Sequence, residues 1–275
     1  MKKGRRRILL FLLVKLPLAL IALSLFLVLV FKWMPVLYTP LMAKRSIEYR
    51  GDKDFRTRHR WVAIEKISPD LVRAVIASED NNFGSHDGFE FGEMRKMLRE
   101  HRKTGKKIRG CSTISQQTAK NVFTFGTPTV LRKVSEAWWT VLIETFWGKR
   151  RIMEVYLNVA ETGPGLFGVQ AASLHYFGVP AGRLDFKRSA AIALSLPDPL
   201  NLRPDCPGIR VRARMKAISG NCAVPLALQV HGVHESDAGM ILAAGSQGAG
   251  RRVGEHEDLR TTSVPFQDDT PFDLP

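Results

Sequence analysis

The sequence has no sustained alternation of apolar and polar residues, which is the pattern of a half-buried β-strand, and it has no apparent internal repeat. Apolar residues recur instead at helical spacing in several segments. With 275 residues and 45% hydrophobic content, the chain can bury one sizeable core or two small ones. We therefore predict a mainly α-helical protein.

Cysteine is also scarce. The three cysteines, Cys111, Cys206 and Cys222, lie far apart and do not have the spacing of a metal site. In an oxidising compartment, an odd number leaves at least one thiol unpaired. The pairing that we consider is a disulfide between Cys206 and Cys222.

A long stretch near the amino terminus has almost no charge. Residues 8–33, ILLFLLVKLPLALIALSLFLVLVFKW, are uncharged except for Lys15 and Lys32 and are long enough to span a bilayer. No small-residue cleavage site follows, which favours a retained transmembrane helix over a cleaved signal peptide. Residues 1–7, MKKGRRR, carry five positive charges. They predict a cytoplasmic basic tail, with everything after residue 34 facing outward.

Acidic residues are few, because 26 Asp and Glu stand against 41 Lys and Arg, a net charge of +15. Residues 226–275 hold three basic and eight acidic residues, a net −5, so residues 1–225 carry +20. Such a surplus usually signals nucleic acid or anionic lipid as a partner. Because an outward-facing, membrane-tethered domain rarely meets nucleic acid, we expect no nucleic-acid partner and favour anionic membrane lipids.

Composition also predicts the domain boundaries. Residues 34–60 contain two prolines and the basic run DKDFRTRHR, which indicates a juxtamembrane connector, either a solvated tether or a segment in contact with lipid. Residues 61–222 form the predicted folded domain. Residues 223–275 are rich in Gly, Asp, Ser and Thr with little periodicity, which predicts a disordered tail.

Helix signals place the polar residues. SPDLVRAVIASE predicts a helix with Ser68 as N-cap and Pro69 in the first turn, so Glu79 falls at its carboxyl end. Ser112 or Thr113, together with Gln116, matches a capping box. The tryptophans of the RKVSEAWW and TFWG segments are expected to be core residues or membrane-interface anchors. Further helices are predicted over Phe89–Arg102, Ser112–Asn121, Leu131–Trp147, Lys149–Val159, Gly168–Tyr176 and Arg188–Leu196.

The stretch SEDNNFGSHDGFEFG, residues 78–92, places Glu79 and Asp80 shortly before His86. A carboxylate at a helix end, followed by small and polar residues, lets a ligand approach closely and suits a general base or acid. These residues alone also allow three other interpretations. They are a metal site formed by His86 with Asp87, a hydrogen-bonded structural histidine and a solvated charged turn.

Five motifs follow one another along the chain. They are SEDNNFGSHDGF at 78–89, GCSTISQQTAKN at 110–121, RKVSEAWW at 132–139, KRRIMEVYLN at 149–158 and GVQAASLHYFG at 168–178. In this order and at this spacing, they resemble the motifs of the peptidoglycan glycosyltransferases, over roughly residues 61–205. The resemblance implies a mainly α, lysozyme-like glycosyltransferase domain behind one N-terminal transmembrane helix.

The same resemblance implies an activity. The family polymerises lipid II, a disaccharide-pentapeptide on undecaprenyl pyrophosphate, into β-1,4 glycan strands at the periplasmic face of the inner membrane. Joining two sugars requires a base at the acceptor 4-hydroxyl and positive charge on the departing diphosphate. We therefore expect lipid II and the nascent strand as partners, and cell-wall synthesis or division proteins as further ones.

By this resemblance, Glu79 corresponds to the essential acid of the first motif and Glu136 to the second glutamate, in the third motif. Glu136 can organise nearby cations, hold a divalent Mg²⁺ or Mn²⁺ ion against the diphosphate, or form a plain surface ion pair. The predicted substrate-binding residues are Asp80, Phe83, His86, Ser112, Thr113, Gln116, Gln117, Lys120, Asn121, Arg132 and Lys133.

The chain departs from the family pattern at two positions. Pro128 stands eight residues beyond Lys120, where family members commonly have an arginine that helps to hold the diphosphate, and Cys111 replaces a small residue. The lone KTG at 103–105 mimics a transpeptidase motif, but no Ser-x-x-Lys accompanies it. Two alternative functions are a lytic enzyme of the same fold and an inactive membrane scaffold in a cell-wall complex.

Overall fold

The structure, a computed structural model, describes residues 11–53, 55–105, 112–125, 130–208 and 211–215, which belong to one compact unit, Met1–Val230. The predicted basic tail 1–7 and the tail 223–275 lie outside the described residues. The same is true of Cys111, Pro128 and Cys222. Cys206 is exposed, and its pairing with Cys222 stays a prediction.

The described part of the chain is mainly helical, as predicted. A π-helical turn, Phe11–Lys15, leads into α1, and 3₁₀ turns lie at Ile64–Lys66 and Ala181–Arg183. The α-helices are α1 (Leu16–Trp33), α2 (Pro40–Glu48), α3 (Pro69–Glu79), α4 (Phe91–Thr104), α5 (Ile114–Phe123), α6 (Val130–Phe146), α7 (Lys149–Val159), α8 (Val169–Phe177) and α9 (Phe186–Ser195).

A small sheet completes the described elements. Its strands are β1 (Arg58–His59), β2 (Glu161–Gly163) and β3 (Leu166–Phe167), in the order β1-β3-β2. β1 runs parallel to β3 and β2 runs antiparallel to it. Strands of two or three residues are too short to show alternation, which is why the sequence did not reveal them.

The core lies where the apolar faces of the helices meet. α3 packs along α9, and α5 packs against both α6 and α7. Leu71 of α3, Ile114 of α5 and Leu157 of α7 are fully buried. This packing brings the carboxyl end of α3 beside the amino-terminal turn of α5, where most of the predicted site residues lie.

The juxtamembrane segment is more ordered than a solvated tether. Residues 34–60 contain α2 and β1, and Arg45 of α2 binds Glu161 of β2 through two parallel contacts. Arg45 Nε donates to Glu161 Oε1 at 2.8 Å and Nη2 donates to Oε2 at 2.8 Å. Because Glu161 is buried, this bidentate pair fixes α2 to the sheet.

The first helix is the one span in the described residues that is long and apolar enough to cross a membrane, over Leu13–Trp33. Its second half docks against α6 and α7. Trp138 Nε1 donates to Ser24 Oγ at 3.2 Å, Trp147 Nε1 donates to the Val28 carbonyl at 2.8 Å, and Arg151 Nη2 donates to the Phe31 carbonyl at 2.8 Å. Trp147 is buried, as expected for a core residue.

Candidate active site

Glu79 is the last residue of α3, where the sequence places it. Its helix begins after Ser68, but the Ser68 side chain does not cap the helix and donates instead to the Leu184 carbonyl at 2.8 Å. The Glu79 carboxylate is half-buried, and Gln117 Nε2 donates to its Oε2 at 3.0 Å. This contact leaves Oε1 available to a substrate proton.

Burial raises the pKa of Glu79 above the ordinary value of 4.5. The hydrogen bond from Gln117 and the charges of Arg214 and Lys120 oppose that rise, whereas the charge of Asp80 adds to it. A carboxyl with a raised pKa holds a proton more readily than a solvated one and is a better base at neutral pH. Arg214 lies outside the five motifs, so no sequence pattern predicts that it lies near Glu79.

Asp80 and His86 hold the loop that follows Glu79. His86 Nε2 lies 2.9 Å from Asp80 Oδ2, and the same oxygen accepts the backbone N–H of Ile114 at 3.0 Å. The backbone N–H of Gly88 donates to His86 Nδ1 at 3.0 Å, so Nε2 carries the proton that bonds to Asp80. Phe83 is fully buried beneath this loop.

The amino terminus of α5 confirms the predicted capping box. Thr113 Oγ1 accepts the backbone N–H of Gln116 at 3.1 Å, and Gln116 Oε1 accepts the backbone N–H of Thr113 at 3.0 Å. Thr113 Oγ1 also donates to the Gly88 carbonyl at 2.7 Å, which ties α5 to the loop after Glu79. The Gln116 side chain is therefore engaged in capping.

Gln117 connects Glu79 to a buried phenol. Tyr156 OH donates to Gln117 Oε1 at 3.3 Å, and the opposite end of the same amide contacts Glu79. Burial, together with the nearby charges of Glu79 and Asp80, raises the pKa of Tyr156 well above its ordinary value, so the phenol stays protonated. The helical spacing in KRRIMEVYLN indicates that Tyr156 is buried. It does not predict that the Tyr156 hydroxyl binds Gln117.

Three predicted substrate-binding cations gather around Glu136. The Glu136 side chain is 5% exposed, Arg132 Nη1 donates to its Oε1 at 2.6 Å, and Lys133 Nζ lies 2.8 Å from its Oε2. This burial excludes the surface-pair interpretation of Glu136. The Lys120 side chain reaches solvent, but protein atoms around it remove part of its hydration. This desolvation lowers the pKa of Lys120. Glu136 counters that decrease, and Arg132 and Lys133 add to it.

Glu136, the predicted metal ligand, has no carboxylate oxygen free of a contact with a cation. Both Glu136 oxygens already contact cations, so a divalent ion would have to displace Arg132 or Lys133. Among the described residues, donor atoms of Asp80, His86 and Glu90 lie within 4.8 Å of one another. There, however, the nitrogen of His86 that faces Asp80 carries a proton and cannot ligate an ion in this tautomer. These residues, as arranged, do not fit a resident metal.

A cleft of about 490 Å³ opens beside Glu79. Such a volume suits a small ligand or one sugar unit. Asn121, another predicted binding residue, is buried on α5 and does not line the cleft. The residues that line the cleft come from the end of α3, the following loop, α4 and the start of α5, and they include Glu79, Asp80, Glu90, Lys96, Ser112 and Thr113.

Residues 47–222 match the family described as Transglycosylase. The chain belongs to the transglycosylase family. A biosynthetic peptidoglycan transglycosylase of Caulobacter vibrioides is 48% identical over 213 residues, which cover 78% of this chain and 90% of that relative. Relatives of the same name from Bacteroides thetaiotaomicron and Pasteurella multocida are 47% and 42% identical, over 70% of this chain and 77% and 78% of their own lengths.

This transglycosylase thus brings together most of the residues that its motifs predict. Glu79, Asp80, Phe83, His86, Thr113 and Gln117 form one connected group around the end of α3. Lys120, Arg132, Lys133 and Glu136 form a second group where α5 meets α6, and the charge of Lys120 reaches both groups.

Proposed function

We propose that this transglycosylase polymerises lipid II into the β-1,4 glycan strands of peptidoglycan and releases undecaprenyl diphosphate. One observation carries the proposal: a half-buried carboxylate with a raised pKa lies near a cluster of cations arranged on a buried glutamate. The first group can accept a proton, and the second can bind a diphosphate. The name carried by the relatives, biosynthetic peptidoglycan transglycosylase, agrees with this chemistry.

Glu79 acts as the general base. Its carboxylate takes the proton of the acceptor 4-hydroxyl, and the hydroxyl oxygen forms a bond to the anomeric carbon of the donor. The bond from that carbon to the diphosphate oxygen breaks, and its electron pair leaves with the diphosphate. Attack from the side opposite the leaving group inverts the anomeric centre. Gln117 holds Glu79 Oε2, so that the other oxygen points to the substrate.

Lys120, Arg132 and Lys133 neutralise the departing diphosphate. Charge accumulates on the diphosphate as the glycosidic carbon is released, and fixed cations stabilise that charge without reorganising. Glu136 holds Arg132 and Lys133 in place through its two oxygens. A divalent cation is a separate expectation, and no step here depends on it.

The domain sits at the outer face of the inner membrane, with α1 as a single-pass anchor and the amino terminus in the cytoplasm. The exposed side of α6 supports this placement, because most of its exposed residues are apolar and α6 contacts the spanning helix through Trp138. Its exposed apolar residues are Val130, Leu131, Val134, Trp138 and Val141. Anionic lipids are the expected contacts of the basic surface, and cell-wall or division proteins stay a prediction.

A lytic enzyme of the same fold needs an acid for a sugar leaving group and no cation cluster, so the groups around Glu136 favour synthesis. The test supplies the detergent-solubilised protein separately with fluorescent lipid II and with purified cell-wall glycan. We expect long glycan strands from lipid II and no fragments from glycan. Release of glycan fragments would support the lytic alternative, and no reaction with either substrate would support the scaffold.

A further inference from the structure

An ion pair lies beneath the loop that follows Glu79. Lys149, the first residue of α7, places its Nζ 2.7 Å from Oε1 of Glu144, which lies near the end of α6. The two side chains are 22% and 10% exposed, so solvent screens this pair less than a surface pair. A mostly buried pair is retained without loss of stability only where further contacts satisfy both groups. Both groups have such contacts.

Lys149 contacts the loop directly. Its Nζ donates to the His86 carbonyl at 2.5 Å and lies 4.8 Å from the centre of the fully buried Phe83 ring. The ammonium thus binds one carbonyl, one carboxylate and one aromatic face at the same time. This fixes both the backbone at His86 and the ring that supports the loop from below.

From His86 the contacts continue to the catalytic carboxylate. The imidazole of His86 bonds to Asp80, and Asp80 accepts the backbone N–H of Ile114. Asp80 directly follows Glu79 in the chain. A shift of the His86 carbonyl would therefore move the imidazole, then Asp80, and with it the backbone that carries Glu79.

Glu144 contacts both sides of the same structure. Ser115 Oγ, in the first turn of α5, donates to Glu144 Oε1. Gly88 of the loop packs against Glu144 so closely that a Cβ there would lie 2.9 Å from Glu144 Cγ. Glu144 thus joins α5, which carries Gln117 and Lys120, to the loop that follows Glu79.

We propose that Glu144 and Lys149 form a positioning pair that keeps the Glu79 carboxylate in hydrogen-bonding position beside Gln117. Neither residue contacts the reacting atoms, and both act through His86, Asp80 and the start of α5. The inference rests on the proposed role of Glu79 as the base. Because a displacement of about 1 Å in a reacting group can cost about 100-fold in rate, loss of the pair should affect turnover more than substrate binding.

The experiment is a double-mutant cycle with a matched surface control. Glu144→Gln, Lys149→Met and the double variant are compared with Glu48→Gln, Lys44→Met and their double variant. Lys44 and Glu48 form an exposed pair at 3.5 Å on α2, far from the loop in sequence. Single-turnover rates and KM for lipid II are measured on full-length protein whose folded fraction is checked by thermal unfolding.

We expect Glu144→Gln and Lys149→Met each to lower kcat by about 10- to 100-fold, with KM changed less than about twofold. The double variant should be no slower than the worse single variant, because the two residues act as a unit. Lys149→Arg, which keeps the charge and the donors, should recover part of the rate. The surface variants should match the wild type.

The pH profile separates positioning from a merely structural role. A loosened loop hydrates Glu79, so the acidic limb of kcat should move to lower pH in Lys149→Met and Glu144→Gln. Wild-type kcat per folded molecule, a loss confined to KM, or an acidic limb that does not move would overturn the positioning pair. Glu79→Gln is measured alongside. If it is inactive while the pair variants are normal, only the pair is rejected; if it is active, the base assignment is rejected as well.

Discussion

At the scale of single residues, the pKa of Glu79 is set by opposing effects of its surroundings. Burial raises its pKa above 4.5, whereas Gln117 and two cations lower it. Proton abstraction needs the carboxylate, so we expect kcat to fall on the acid side at a pH above 4.5. Gln117→Leu removes the hydrogen bond that favours the carboxylate and should move this limb to higher pH. The measurement is kcat for lipid II against pH, and an unshifted or lower limb would contradict the role of Gln117.

Glu136 provides a second prediction. In Glu136→Gln, Arg132 and Lys133 lose the negative charge that holds them, so we expect kcat to fall by about 100-fold. Added Mg²⁺ should not restore the rate, because the defect is misplaced cations rather than a lost metal ligand. Glu48→Gln, at the exposed Lys44–Glu48 pair on α2, is the control. Recovery with Mg²⁺ would instead support the divalent ion that the resemblance suggests.

The family resemblance implied the roles of Glu79 and Glu136, and local sequence patterns predicted where the two residues lie. The position of Glu79 at a helix end follows from a helix start eleven residues earlier, and the pairing of Glu136 with Arg132 and Lys133 follows from helical spacing. The contact between Lys149 and the His86 carbonyl could not be predicted, because a side chain that binds a backbone oxygen 63 residues away leaves no pattern in the sequence. At Ser68 a local prediction was wrong: the side chain was expected to cap its own helix, but it donates to the distant Leu184 carbonyl instead.

At the scale of elements, the loop after Glu79 packs tightly against α6. Gly88 has φ of +88°, and a Cβ there would lie 2.7 Å from Thr140 Cγ2. We expect Gly88→Ala to lower the free energy of unfolding by about 2–4 kcal/mol, from the left-handed backbone and the clash together. Gly178→Ala, which shares a positive φ of +66° but has open space around it, should cost about 1 kcal/mol. Denaturant unfolding measures both, and equal losses would exclude the clash.

The docking of α1 on the domain gives a further prediction. Trp147→Phe removes the N–H that binds the Val28 carbonyl and leaves a small cavity, so we expect a loss of about 1–3 kcal/mol. Trp33→Phe is the matched control, because Trp33 is 73% exposed. Thermal unfolding in detergent compares the two variants. A Trp147 variant as stable as the Trp33 variant would show that the docked arrangement contributes nothing.

Element boundaries were predictable where local signals agree. The predicted helix Lys149–Val159 matches α7 at both ends, because Gly148 and the apolar spacing mark the same limits. The ends of α4, α5, α6, α8 and α9 differ from the predicted ends by one or two residues, which is the usual uncertainty at helix ends. The helix α2 within residues 34–60 was not predicted from the sequence. This helix is held by an ion pair from Arg45 to Glu161, more than a hundred residues away, and such a contact leaves no local pattern.

At the scale of the whole molecule, the chain combines one long apolar helix with a basic domain. The apolar helix α1 contacts α6 and α7, and α6 also carries Arg132, Lys133 and Glu136 of the second group of site residues. A lipid-linked substrate with a charged diphosphate fits that combination, because its tail stays in the bilayer while its head reaches the cations. The five motifs indicated this function from the sequence, and their clustering in three dimensions depends on the packing of α3, α5 and α6.

The role of Glu79 as the base is tested by comparing the wild type with Glu79→Gln in lipid II polymerisation, on protein shown to be folded. Gln keeps the shape of the side chain and removes a charge that burial disfavours, so the variant should unfold no earlier than the wild type. We expect no glycan strands from Glu79→Gln and normal strands from the control Glu48→Gln. Polymerisation by Glu79→Gln at the wild-type rate would show that Glu79 is not the base, because the proton of the acceptor hydroxyl would then leave by another route.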